Sequence, residues 1–310
     1  MKRHLSISIS IALSAVILAA MLSQRSVSAG PDNRGQKLVE QARAALGGDA
    51  KLKSVQALSA TGTFRRVLGK EMPEMSGEIQ LELLFPDKYM TTEVADLPMA
   101  GAQITRISGF NGDQQFRDMK TSGGVGNVVV RMGSNPDTPE AQAAQLKALR
   151  ADFARYVIAL LAAPPPTQTV DFVYAGEAQA EDGRADAIDA KGADGLAMRL
   201  FLDQTSHRPL MITYSDAAPK FVVRTHAGMS REEAEKLAKE GHEGISKEME
   251  GKPAEPKMAD FQIYLADYRN VDGIFFPHHI TKAVNGEVNE EWQITKFKVN
   301  PPLKAEKFKK

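Results

Sequence analysis

The chain has 310 residues, with 39 basic and 39 acidic side chains, 43% apolar and 25% charged residues, and no cysteine. This is the composition of an ordinary globular chain, and it excludes an intrinsically disordered, collagen-like or polytopic membrane protein. The balanced charge lacks the basic excess of a nucleic-acid binder. Without cysteine there is no disulfide, thiolate nucleophile, zinc ribbon, iron–sulfur site or cysteine-borne lipid anchor.

Met1-Lys2-Arg3-His4 is a basic start, Leu5 to Leu22 is uncharged, and Val27-Ser28-Ala29 before Gly30 is a small-residue cleavage site. That order of parts reads as a secretory signal peptide over residues 1–29. An uncleaved anchor is the competing reading, since ~18 residues just suffice to span a bilayer. Interleaved serines weigh against it. Removing residues 1–29 takes away Lys2, Arg3 and Arg25 and leaves a small acidic excess. A weakly acidic, cysteine-free exported chain suits a bacterial periplasm.

Arg34 to Leu46 carries Leu38, Ala42, Ala45 and Leu46 on one helical face, with Gly47-Gly48 as the stop. From Val55 the period becomes two. Ile79, Leu81, Leu83 and Phe85 alternate with Glu78, Gln80 and Glu82, as in a half-buried strand. Pro86-Asp87 turns the chain and Tyr89 to Ala95 returns. Gln103–Phe110 and Gln114–Met119 flank Asn111-Gly112, a two-residue hairpin turn. The glycine-rich Thr121–Asn127 lacks the helix that a phosphate-cradling loop must precede, and reads as a loop.

Thr138-Pro139-Glu140 supplies an N-cap, a first-turn proline and an acid at the positive helix end. Leu146, Leu149, Phe153, Tyr156, Val157, Leu160 and Leu161 then form a stripe at spacings of three and four, and Pro164-Pro165-Pro166 ends it. The last stretch, Tyr156 to Ala163, is apolar almost all round, which suits either a concave site or plain core.

After the prolines, Val170–Glu177, Arg184–Ala190, Leu196–Leu202, Pro209–Tyr214 and Lys220–Thr225 alternate with turns, the mark of an antiparallel meander. Residues 228–258 hold a capping box, Ser230 to Glu233, and a charged Gly, Pro, Lys and Glu run, read as a solvated insertion. Phe261–Leu265, then Phe275–Val284 and Glu287–Val299 around Asn285-Gly286, complete about eleven to twelve strands. Trp292 and Ile294 lie on one parity, Phe297 and Val299 on the other. If all four face the core, a bulge falls near Thr295-Lys296. With no internal repeat, residues 30–310 read as one mainly β (α+β) domain.

Chemistry-bearing constellations are weak. His278 and His279 are neighbours on a strand and point to opposite faces, so they do not chelate one ion together. His242-Glu243 starts like a zinc-protease motif, but position 246 is Ser246. No G-x-S-x-G elbow occurs. Asp186, Asp189 and Asp194, near Gly183, Gly192 and Gly195, read as solvated turn residues. The residues therefore point to no enzyme, no cofactor and no metal. Methionine is numerous, at 13 residues, and flexible thioethers suit both core filling and adaptable apolar surfaces. Met99, in Leu97-Pro98-Met99-Ala100, reads as part of an apolar loop able to cover a cavity.

Several of these pieces occur in an order that resembles the LolA/LolB-like family of periplasmic lipoprotein carriers and its outer-membrane lipoprotein-sorting relatives. They are a leader, a short helix, Gly77-Glu78-Ile79-Gln80-Leu81 running to Phe85-Pro86-Asp87-Lys88-Tyr89, Phe110-Asn111-Gly112-Asp113, an apolar helix mid-chain, Asp272-Gly273-Ile274-Phe275-Phe276-Pro277, and Val299-Asn300-Pro301-Pro302-Leu303 with Phe308. The resemblance covers most of residues 34–308. It implies an incomplete antiparallel β-barrel with helices in its concave face, whose hollow takes up acyl chains. The family's carriers have an arginine just before the proline that matches Pro86, where this chain has Phe85.

On that resemblance the expected function is periplasmic binding or carriage of a lipid or an acylated lipoprotein, with an inner- or outer-membrane complex as a further partner and no nucleic acid. Phe85, Tyr89, Met99, Tyr156, Val157, Leu160 and Leu161 are expected to line the hydrophobic cavity. The alternative is a periplasmic sensor or scaffold of the same fold that docks a protein.

Overall fold

The computed structural model describes residues 33–67, 74–97, 101–123, 138–180, 183–218 and 257–309. The expected leader, Met99, the strand at Lys220–Thr225, the glycine-rich loop beyond Gly123 and residues 228–256 of the expected insertion lie outside these.

The elements run α1 (Arg34–Leu46), α2 (Asp49–Lys53), β1 (Ala57–Arg66), β2 (Met75–Leu84), β3 (Lys88–Leu97), β4 (Ala102–Asn111), β5 (Gln114–Gly123), α3 (Pro139–Leu161), β6 (Val170–Ala180), β7 (Gly183–Gly192), β8 (Ala197–Asp203), β9 (Pro209–Ala217), β10 (Met258–Val271), β11 (Ile274–Val284) and β12 (Glu287–Val299). A short 3-10 turn, Ala305–Phe308, follows. The twelve strands of the described residues form one antiparallel sheet in the order β5-β4-β3-β2-β1-β12-β11-β10-β9-β8-β7-β6. Every neighbour is a sequence neighbour except β1 and β12, which join two meanders into one sheet.

The sheet wraps around α3. Arg155 lies 3.7 Å over the Tyr214 ring on β9, while the next residue, Tyr156, stacks 6.3 Å from Tyr89 on β3. In a flat sheet these strands would stand roughly 29 Å apart, six spacings of about 4.8 Å. Two adjacent side chains reach both only because the sheet curls. Among the described strands it does not close: β5 and β6 are its two ends, and α3 lies between them in the chain. The mainly β, incomplete-barrel expectation therefore holds.

The helices form where the sequence places their caps. Thr138 Oγ1 accepts the Ala141 N–H at 3.2 Å, Pro139 occupies the first turn, and Ala162 ends α3 in the left-handed region. The first half of α3 is largely exposed, whereas Phe153, Ala154, Val157, Ile158, Leu160 and Leu161 are buried. At roughly 1.5–3 kcal/mol per large buried side chain, the five largest contribute on the order of 10 kcal/mol. On α1, Leu38, Val39, Ala42 and Leu46 are buried. This helix approaches β6 backbone to backbone: a Cβ at Gly35 would stand 2.4 Å from the Phe172 carbonyl oxygen.

The expected bulge is present at Thr295. Lys296 pairs with Thr61 and Ile294 with Gly62, so Thr295 has no opposite residue, and its hydroxyl donates to the Thr61 carbonyl. The extra residue brings Trp292, Ile294 and Phe297 together into the core.

Two expectations are corrected. Glu82 belongs to the solvent parity of β2 yet is 1% exposed, because the C-terminal segment crosses that outer face. Lys307 pairs with Glu82, and Phe308 packs with Met90 and Phe116. Asp186 and Asp189 are not turn residues: both lie within β7, Asp186 buried with Arg34 and Gln204 on it, Asp189 half-buried and paired with Arg199.

Candidate functional site

The concave face has two characters. Beneath the end of α3 it is apolar. Toward the strand ends that bear Arg66, Lys282 and Glu290 it is charged. The register creates this second region: Arg66 on β1 and Lys282 on β11 each stand opposite Glu290 on β12, and Glu93 on β3 stands opposite Arg106 on β4.

Contacts between these groups are dense. Arg66 forks onto Glu93, Nη2 to Oε1 at 2.8 Å and Nη1 to Oε2 at 3.1 Å, and its Nε donates to Glu290. Arg106 donates to Glu93 at 3.2 Å. Glu290 also accepts from Lys282 Nζ at 2.9 Å and from the Trp292 indole N–H. From α3, Arg155 donates to Asp152 at 2.8 Å and to Asp216 on β9 at 3.2 Å. Lys282 Nζ stands 3.6 Å over the Trp292 ring, and Tyr156 stacks on the same ring at 6.0 Å.

Burial and charge pull against each other here. Burial favours the neutral form of Glu290, but Lys282 and Arg66 outweigh it and hold the carboxyl down at about 2. Burial also favours loss of the Arg106 proton, and the neighbouring Arg66 and Arg117 add to that, so Arg106 sits below its ordinary range despite Glu93. The Asp152 carboxyl is raised, chiefly by desolvation, although Arg155 opposes this. Tyr89 and Tyr156 are both raised well above the ordinary phenol range by burial.

Around these groups lies a cavity of about 290 Å³ lined by Arg66, Arg106, Asp152, Arg155, Tyr156, Tyr214, Phe261, Gln262, Ile263, Lys282, Val284, Asn289 and Glu290. A wider depression of about 630 Å³ lies between the exposed start of α3, β5 and Phe308, and a third of about 490 Å³ lies around Thr63, Ser76, His279 and Glu291. The third also gathers charge, Arg65 with Glu78, Asp96 and Glu291, but its excess is acidic, whereas the first has four cationic side chains and two carboxylates in its lining.

Of the residues expected to line a cavity, Tyr156 lines this one. Val157 and Leu160 are 1% exposed and Leu161 4%, within the packed core beneath it. Tyr89 is buried and Phe85 half-buried. Both pack on Phe153, with ring centroids 6.3 and 5.9 Å away. Met99 lies outside the described residues. The charged lining was missed, although a signal for it existed. Arg66, Glu93, Arg106, Lys282 and Glu290 each share strand parity with a buried neighbour: Phe64, Ala95, Ile104, Ile280 and Trp292. A charge repeated on the core parity of five strands marks a polar patch inside the curl.

No family model matches the sequence, and no curated protein does. Among solved structures, the fold is similar to a LolA superfamily protein from Nitrosomonas europaea, with 10% identity, 89% of this chain and 97% of that one covered, and a TM-score of 0.45. It is similar also to a protein described as a putative outer membrane lipoprotein-sorting protein domain from Vibrio parahaemolyticus, with 9% identity, the same coverages and a TM-score of 0.43. A third is a DUF1329 family protein from Desulfovibrio piger, with 10% identity, the same coverages and a TM-score of 0.45. The first two descriptions name the family that the order of motifs resembles. Similarity of this size says nothing about cargo or chemistry, so the functional reading rests on this chain's own residues.

Proposed function

We propose that this chain is an exported, periplasmic, non-catalytic carrier that takes up an amphiphile, a lipid or an acylated protein segment, in the concave face of its open sheet. The observation that supports this most is the seat of α3. An antiparallel trough is left unclosed, and its apolar wall is covered by one helix end made of Phe153, Val157, Ile158, Leu160 and Leu161. Taking up a single acyl chain of about 14 methylenes is worth about 11 kcal/mol at ~0.8 kcal/mol each, which works against the cost of association. Tyr156 and Tyr214 place an aromatic wall where such a chain enters.

The test is uptake of a fluorescent fatty acid by the purified protein. The reading expects saturable binding of one molecule per chain, strongly weakened in Tyr156→Asp, a variant altered at the half-buried mouth rather than the core. A wild-type protein that binds no such probe would remove the proposal.

A further inference from the structure

We infer that the cavity framed by Arg66, Arg106, Arg155 and Lys282 is an anion site, which receives a phosphate or carboxylate group at the polar end of the cargo. This deepens the carrier reading and rests on it.

Three observations carry the inference. Four cationic side chains but only two carboxylates, Asp152 and Glu290, line the cavity, while Glu93 and Asp216, which bind Arg66 and Arg155, are not part of its lining. These carboxylates fix the guanidinium planes, and a cation already held in place loses less freedom when it meets a phosphate or carboxylate. The second observation is an unused donor. Arg155 is 4% exposed, and its Nε has no hydrogen-bond partner among the described residues. A buried guanidinium N–H without an acceptor is unfavourable by about 1–3 kcal/mol, so the pairing of this cation is incomplete among the described residues.

The third observation is size. A cavity of about 290 Å³ lies at the small end of ligand pockets, enough for a headgroup and the start of a chain. Tyr156, Tyr214 and Phe261 supply the apolar side of the same cavity, so polar and apolar ends of one molecule meet their complements within it. Salt bridges built only for stability do not account for this arrangement, since buried ion pairs are on average no better than packed apolar residues.

The chain carries its own reporter. Trp292 is its single tryptophan, buried, stacked on Tyr156 and covered by Lys282. Its fluorescence is titrated with dodecyl phosphate, dodecanol and inorganic phosphate. The inference expects dodecyl phosphate to bind at least tenfold more tightly than dodecanol, and inorganic phosphate to bind much more weakly than dodecyl phosphate. In Lys282→Gln, and separately in Arg155→Gln, the preference for dodecyl phosphate over dodecanol should fall to near parity, with circular dichroism showing that each variant is folded.

Equal affinity for the two dodecyl compounds in the wild type would overturn the anion site and leave the carrier reading standing. Inorganic phosphate binding as tightly as dodecyl phosphate would uphold the anion site and overturn the carrier reading. No response to any of the three would overturn both. A preference that survives in both folded variants would show that these side chains do not form the site.

Discussion

Replacing Glu290 with glutamine removes one charge from the centre of the buried network and turns one of its two acceptor oxygens into a donor. The side chain keeps its shape and one acceptor oxygen. Arg66 retains Glu93, but Lys282 loses the carboxylate it is paired with. Breaking one partner out of a buried ion pair destabilises by about 3–5 kcal/mol, and the isosteric change belongs at the lower end.

The titration of Glu290 gives a second route to the size. Its carboxyl falls from 4.5 to about 2 on folding, which corresponds to on the order of 3 kcal/mol. A depressed carboxyl stabilises the fold above its unfolded value and loses that contribution as pH falls toward its folded value. The benefit is therefore complete above about pH 5 and nearly gone at pH 2. Urea unfolding of wild type and Glu290→Gln at pH 7 should show a gap of about 3 kcal/mol, or roughly 6–10 °C in Tm. At pH 3 the gap should be less than half as large, because the wild type loses the interaction while the variant has none to lose. A variant as stable as wild type at pH 7, or a gap that ignores pH, would refute the reasoning.

Other consequences are as direct. Phe153→Ala removes the ring on which Phe85, Tyr89 and Phe110 converge, and should lower stability by about 3–5 kcal/mol in denaturant titrations. Gly35→Ala inserts a methyl against the Phe172 carbonyl where the backbone has no room to yield. It should cost about 1–3 kcal/mol and raise hydrogen exchange along α1 and β6 first. Lys307→Ala leaves the Glu82 carboxylate without the lysine that covers it on the outer face, and should destabilise the fold by about 1–3 kcal/mol. Thermal scans at neutral pH would read it, and an unchanged Tm would mean that the C-terminal segment is not anchored there.

Local signals carried much of the architecture. Thr138-Pro139 and the triple proline bound α3 closely, and the glycine pair ended α1 at Leu46. Asn285-Gly286 turned the hairpin expected of it, while the β4–β5 hairpin turns one residue later than Asn111-Gly112, on Gly112-Asp113, with Asn111 still paired to Gln114. The parity change between Trp292 and Phe297 located the bulge at Thr295, because a strand with a buried face tolerates no other way of turning both parities inward.

What the sequence hid depends on distant segments. Glu82 looked solvated because its cover, Lys307 and Phe308, arrives from the far end of the chain. The charged cavity was hidden for a related reason. Arg66 and Glu290, or Glu93 and Arg106, are unremarkable one at a time and become a network only once strand pairing sets them opposite one another. An apolar helix end such as Tyr156–Leu161 invites the reading of a greasy pocket. In the structure most of it is filler, and the cavity opens beside it, where the helix turns Asp152, Arg155 and Tyr156 toward the charged strands.

The central claim is that the open trough carries an amphiphile. It is tested most directly by native followed by denaturing mass spectrometry on protein purified from its producing cells without detergent. The account predicts a mass excess in the native spectrum that leaves on denaturation as a molecule with an alkyl chain and an anionic group. A bare polypeptide mass, from protein that also fails to bind dodecyl phosphate, would contradict it.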